Sequence, residues 1–179
     1  MTTLAPARDI DLVRFPDGSL IELRPLGAPD GRLIANFVSQ LSPESAYKRF
    51  LSASGGARHQ WVANLVNADQ RDCLVQGAVA RNEFGSSLVA IAESIRDPGD
   101  RQRAEFAIAA VDPWQNMGIG TLLTRHVARI ARSSGVRYWE TYMLAENTPM
   151  SRVMSRVGTM VSFKIDHGLA EVVHELPDV

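Results

Sequence analysis

Residues 106–123, Phe-Ala-Ile-Ala-Ala-Val-Asp-Pro-Trp-Gln-Asn-Met-Gly-Ile-Gly-Thr-Leu-Leu, constrain the fold more than any other stretch of the chain. A run of small and β-branched residues ends in a proline turn. Glycines two apart then open a helical periodicity in which Ile119, Leu122, Leu123, Val127 and Ile130 share one face, with Arg125, Arg129 and Arg132 away from its centre. A strand that feeds a long helix through glycines is a backbone cradle. The glycines admit close approach of a ligand, and the first helical N–H groups lack internal partners while the helix dipole favours negative charge. A diphosphate is its natural guest. The plainer alternative is a glycine-bearing helix start that holds nothing.

The rest of the chain places this cradle within a mixed sheet. Residues 1–18 read as a loosely held lead-in ending at a Pro16-Asp17-Gly18 turn, and 19–179 as one domain. A short strand at 19–24 is closed by Pro25. Asp30 is placed to cap a helix carrying Leu33, Ile34, Phe37, Val38 and Leu41. Ser42-Pro43 starts a second helix that Gly55-Gly56 should end, and 61–66 forms a further short one. Three β-like runs follow, 73–80, 87–95 and 104–111, joined by turns that predict antiparallel hairpins. After the helix at 118–134, stopped by Gly135, come a strand at 137–144, a short helix at 150–156 and closing strands at 160–165 and 171–176. The expected class is α/β (α+β).

Charge and cysteine usage narrow the function. With 19 basic and 20 acidic residues among 179, the net charge is −1, so nothing drives the chain toward nucleic acid or an anionic membrane. No apolar run reaches the ~18 residues of a membrane span, and 1–18 lacks the apolar stretch of a signal peptide. The lone Cys73 forms no internal disulfide, which fits a reducing cytoplasm, and at the start of a strand it reads as a small buried hydrophobe. His59, His126, His167 and His174 have no metal-ligand spacing, so no metal is expected, and His126 reads as a packing or surface residue. Trp61, Trp114 and Trp139 read as core or loop anchors, with Trp114 packing the turn before the glycines.

A dinucleotide site competes for the cradle, because Glu140 lies near the ~20-residue spacing of a ribose-binding acid. Leu123 occupies the third glycine's place and the strand-to-glycine loop is six residues long, which opposes that reading. Gln115-x-x-Gly118-x-Gly120, after Val111-Asp-Pro-Trp, resembles the acyl-CoA signature of the GNAT superfamily of N-acetyltransferases. The element order and Ala145-Glu146-Asn147 after the next strand resemble the same family, and the resemblance covers residues from about 19 to 176. Leu41-Ser-Pro-Glu-Ser-Ala-Tyr-Lys-Arg-Phe50 resembles the first-helix region of the bacterial branch that includes protein-lysine acetyltransferases.

The resemblance implies a mostly antiparallel twisted sheet of about seven strands with about four helices, splayed between the fourth strand (104–111) and the fifth (137–144). Acetyl-CoA would lie in the gap. By the same analogy, main chain at Ala109 and Val111 pairs with pantetheine, and the Ala109 N–H polarises the thioester. Gln115, Asn116, Met117, Gly118, Ile119, Gly120 and Thr121 form the pyrophosphate turn, with Asn147 opposite. Asn116-Met117 departs from the family's glycine and basic residue, which should weaken phosphate binding without abolishing it. Met154 stands where many members carry a proton-donating tyrosine, so no general acid is assigned. Tyr142 and Ser151 are weak substitutes.

Amine acetylation needs an uncharged nucleophile, and a lysine-type ammonium has a pKa near ~10.4, so a base helps. Strand alternation puts Glu105 on the same face as Ala107, Ala109 and Val111, which makes it the candidate base. Glutamate on this strand also resembles the base position of several GNAT enzymes. The four residue steps from Glu105 to Ala109 span ~13 Å, which calls for a bridging water or a bent strand. The alternative is a solvated carboxylate beside Arg101 and Arg103, and Glu93 is the reserve. The expected function is N-acetyl transfer from acetyl-CoA directly to a primary amine, on a small molecule or a protein lysine. A non-catalytic acyl-CoA-binding module of the same fold is the rival. A homodimer is expected through the sheet edge that the closing strands leave exposed.

Overall fold

The computed structural model describes residues 11–15, 18–51, 55–82 and 85–178, with the side chains of 52–59 and 82 outside that description. The strands are β1 (Asp11–Arg14), β2 (Leu20–Pro25), β3 (Cys73–Asn82), β4 (Gly85–Arg96), β5 (Arg103–Ala110), β6 (Tyr138–Leu144), β7 (Thr159–Asp166) and β8 (Leu169–Glu175). The helices are α1 (Gly31–Gln40), α2 (Pro43–Phe50), α3 (Gly55–Val66), α4 (Ile119–Ser133) and α5 (Thr148–Met154). The strands make one eight-stranded sheet in the order β1-β2-β3-β4-β5-β6-β8-β7. All neighbours run antiparallel except the parallel β5–β6 pair.

The sequence reading anticipated about seven strands, and the extra one is β1, within the segment read as a loose lead-in. Asp11–Arg14 pairs with β2, and the Asp11 carboxylate reaches His126 Nδ1 on α4 at 2.8 Å. His126 is thereby a buried packing residue. Gly55-Gly56 also plays the opposite part to the one expected. α2 ends at Leu51, which takes the left-handed conformation (φ 50°) and donates its N–H to the Tyr47 carbonyl, and the glycines open α3. Asp30 stands at the N-terminal boundary of α1 without capping it, and its carboxylate instead accepts from the Gly27 N–H of the preceding turn at 3.1 Å. Its carboxylate accepts from Arg24 at 2.6 and 3.0 Å and is held below the usual carboxylate range by that guanidinium.

β4 is buried without interruption from Leu88 to Ser94, because helices cover both faces of the sheet. On one face, α2 and α3 reach Glu93 through Arg49 and Trp61, and Phe37 of α1 packs against Trp61. On the other, α4 reaches Gln76 through His126, and α5 packs against α4. The parallel pair is short. Its rungs are Arg103↔Tyr138, Ala104↔Trp139 and Glu105↔Glu140, and beyond Glu105 the two strands part. This is the splay expected between 104–111 and 137–144. Among the described residues no helix is long and apolar enough to cross a membrane.

Candidate functional site

The parted strands open a cleft with two lobes. The first, of about 350 Å³, is lined by the α4 start, the end of β5 and one side of α5. The second, of about 380 Å³, lies between β5, β6 and the α2–α3 side of the sheet. Lys48, Arg49, Ile108, Asn147 and Met150 line both, so the lobes meet there.

The first lobe holds most of the expected anion turn. Gly118 precedes α4 at φ 90°, a conformation suited to glycine, and Asn116 takes φ 61°. No side chain caps α4, so the amides of Ile119, Gly120 and Thr121 remain for a ligand. Ala109, Gln115, Asn116 and Asn147 line this lobe as well, whereas Val111 and Met117 lie outside its lining. Gln115 works as a brace. Its amide nitrogen donates to the Ala110 carbonyl at 3.0 Å and to Ser45 Oγ at 2.9 Å. Ser45 Oγ in turn donates to Asp112 at 2.7 Å, and this hydroxyl more than any other group holds the Asp112 carboxyl low. Trp114 anchors the turn edge-on against Phe15 at 5.9 Å. The Asn147 carboxamide oxygen caps α5, accepting from Met150 N–H at 3.2 Å.

The direction of the β5 main chain differs by one residue from the expected one. Val111 N–H donates to the Val89 carbonyl at 3.0 Å, and the register Ile91↔Ala109 gives Ala109 the same outlook toward β4. Alternation turns the N–H and C=O of Ile108 and Ala110 to the gap. Where the expected signature cation is replaced by the half-exposed Met117, two arginines of the α5 region, Arg152 and Arg156, line the same lobe.

The second lobe contains Glu105, exposed and without an ion pair among the described residues. Its alternative partners are engaged elsewhere: Arg101 with Asp72 at 2.6 Å, and Arg103 with Glu140 at 2.6 Å. Tyr142 shares the lobe. Burial first, then the carboxylates of Glu140, Glu171 and Glu105, push its phenol up, so it is a poor proton donor. Thr141 also lines the lobe, and its buried hydroxyl has no partner. Glu93 is 3% exposed and accepts from both Arg49 and Trp61, which leaves it no access to a substrate. Met154 is fully buried in the core. Cys73 is half-buried, and burial, with Glu93 and Asp69 adding to it, pushes its thiol up to about 11, so it is no nucleophile near neutral pH. Among the described residues no three His, Cys, Asp or Glu side chains gather to hold a metal.

Arg49, Lys48, Arg152 and Thr141 carried no signal as site residues in the sequence. Only the resemblance of 41–50 to a family segment marked the region of the first two.

No family model matches the chain. It is 25% identical over 160 residues to Acetyltransferase PA5475 of Pseudomonas aeruginosa, covering 89% of this chain and 85% of that protein. It is 27% identical over 167 residues to Acetyltransferase Pat of Mycolicibacterium smegmatis, covering 93% of this chain but 49% of that protein, so it spans about half of that relative's length. Among solved structures it is similar to the GNAT domain of S. lividans PAT, with a TM-score of 0.76 and 24% identity over 93% of this chain and 97% of that one.

Proposed function

We propose that this chain, an acyltransferase of the GNAT type, moves an acetyl group from acetyl-CoA directly to a primary amine. The observation that carries the reading is the continuous two-lobed cleft, with a helix-start anion cradle at one end and an unpaired carboxylate at the other. The donor's pyrophosphate lies on the Ile119–Thr121 amides, between them and Arg152 and Arg156. Its pantetheine arm runs along the main chain of Ala110 and Ile108. The Ile108 N–H, at the meeting of the lobes, supports the negative charge that develops on the thioester oxygen. The acceptor enters the second lobe, where the exposed and unpaired Glu105 draws in a cationic amine. Glu105 takes its proton. A protein lysine and a small-molecule amine both fit this chemistry, and the lone Cys73 suits work in a reducing cytoplasm.

Ligand-induced stabilisation tests the donor site. Acetyl-CoA and CoA should raise the melting temperature and NAD and ATP should not, with a gain of about 2.7 kcal/mol at 100 times the dissociation constant. Gly120→Leu should remove the shift without unfolding the protein. A Cβ at Gly120 would sit 3.4 Å from Val153 Cγ2, so the larger side chain fills the donor lobe while its helical backbone tolerates the change. Equal shifts in both proteins, or a larger one with NAD, would overturn the assignment.

The same reading includes a homodimer. β7 ends the sheet, and its Met160, Val161, Phe163 and Ile165 are all at least half exposed, an apolar edge interrupted by Lys164 and by a bulge between Met160 and Ser162. Two copies pairing there should appear as a dimer in light scattering at micromolar concentration; a monomer would defeat the idea.

A further inference from the structure

Departure of CoA leaves a negative charge on sulfur, and the cleft offers it no good acid. Met154 has no proton to give and is sealed in the core, and the Tyr142 phenol is pushed up. What the meeting point of the lobes does offer is a fixed cation. Arg49, in the last turn of α2, lies over the Trp61 ring at 4.8 Å and is ion-paired with Glu93, which also accepts from Trp61 Nε1 at 2.5 Å. Arg49 lines both lobes and Glu93 lines neither, so the positive end of the pair faces the cleft. Glu93 does not saturate the guanidinium either, since the buried Arg49 Nε has no partner. The neighbouring Lys48 differs: its ammonium is paired with the exposed Glu44 at 2.5 Å, in solvent.

We propose that the Arg49 guanidinium stabilises the departing CoA thiolate, with Glu93 and Trp61 as positioning residues that hold it toward the sulfur. The inference rests on the donor-site reading above. In the step, the acceptor nitrogen, its ammonium proton already passed by way of Glu105 to solvent, forms the C–N bond, and its second proton then passes to Glu105 through water. The C–S bond breaks with its electron pair on sulfur. The thiolate is held by Arg49 until solvent protonates it. A cation aimed in advance at developing charge, in a site partly closed to water, lowers the barrier without reorganising at the moment of reaction.

The test uses CoA itself and needs no acceptor. The ultraviolet absorbance of the thiolate is followed against pH for bound CoA, with desulfo-CoA as the ligand lacking the sulfur. A nearby cation lowers a thiol's titration by ~1–2 units. In the wild type the bound thiol should titrate that far below the free one, and CoA affinity should rise ~10–100-fold across the window while desulfo-CoA affinity stays flat. Removing Arg49 alone would strand a buried carboxylate, so the informative variant is Arg49→Gln with Glu93→Gln. It should keep desulfo-CoA binding and its melting temperature, with the bound thiol back at or above the value of free CoA. Arg49→Lys, which keeps the charge without the planar fork, should fall between the two and serves if the double variant fails to fold. A bound thiol that titrates alike in wild type and variants, as it would if Arg49 only tied α2 to β4, overturns the proposal. If the wild type binds neither CoA nor desulfo-CoA, the donor-site reading fails and takes this one with it.

Discussion

Glu105→Gln should lower turnover by about 10²–10⁴-fold while leaving acetyl-CoA affinity and melting temperature nearly unchanged. The expectation follows from how the carboxylate is left. Its rung partner Glu140 is held by Arg103, its sequence neighbour Arg101 is held by Asp72, and Glu105 alone faces the second lobe unpaired. Glutamine keeps the shape and loses the proton acceptor. Three residue steps separate Glu105 from Ile108, about 10 Å of extended chain, so the proton travels through a water and Glu105→Asp should lose part of the rate as well. The deficit should shrink as pH rises, because an acceptor amine with a pKa near ~10.4 is then increasingly deprotonated before it meets the enzyme. The measurement is turnover against pH, using whichever amine an acetyl-CoA consumption screen returns. A structural role would instead lower melting temperature and donor affinity together, with no trend in pH. Unchanged turnover would remove Glu105 as the base. Glu93 could not replace it, since Arg49 and Trp61 already occupy that buried carboxylate. A wild type that binds acetyl-CoA tightly yet acetylates nothing in a broad screen would favour the non-catalytic binding module.

The helix-start lobe of the cleft was legible in the sequence because its information is local. Gly118, Gly120 and the α4 periodicity lie within one turn and one helix, and a backbone cradle is specified by the residues that build it. The junction of the two lobes was not, because tertiary packing assembles it. Arg49 and Glu93 are 44 positions apart, and neither the helix that carries one nor the strand that carries the other has a local reason to bring them together. Side-chain alternation put Glu105 on the face that lines the second lobe, yet gave no hint that Arg101 and Arg103 would turn to Asp72 and Glu140. The hydrogen-bonding direction of β5 was beyond the same pattern. Period-2 alternation fixes side chains to faces, whereas the sense of each N–H depends on which rungs of the ladder bond, and here the Val111–Val89 rung turns Ile108 and Ala110 to the gap. β1 escaped notice because it is four residues long and mostly exposed, held by its pairing with β2 and by the reach of Asp11 to His126.

Trp139→Ala should cost about 3–5 kcal/mol of folding stability, and the loss should reach the cleft. Trp139 is fully buried, stacked on Phe106 with ring centroids 4.0 Å apart, and its indole N–H donates to Ser94 Oγ at 2.9 Å. It sits on the Ala104↔Trp139 rung, one before the last at which β5 and β6 are joined. The β5–β6 ladder has three rungs, so the Phe106–Trp139 stack reinforces a short join and fastens the splay at its closed end. Alanine would leave a cavity at that fastening and an unsatisfied serine hydroxyl beside it. Trp139→Phe separates the two contributions, keeping most of the stack while losing the hydrogen bond, for about 1–3 kcal/mol. Chemical denaturation with and without CoA measures both consequences. If the stack sets the width of the gap, Trp139→Ala should weaken CoA binding although residue 139 lies in neither lobe, and Trp139→Phe should weaken it less. A Trp139→Ala protein that loses stability but binds CoA as the wild type does would mean that the three main-chain rungs alone hold the strands apart at the correct spacing.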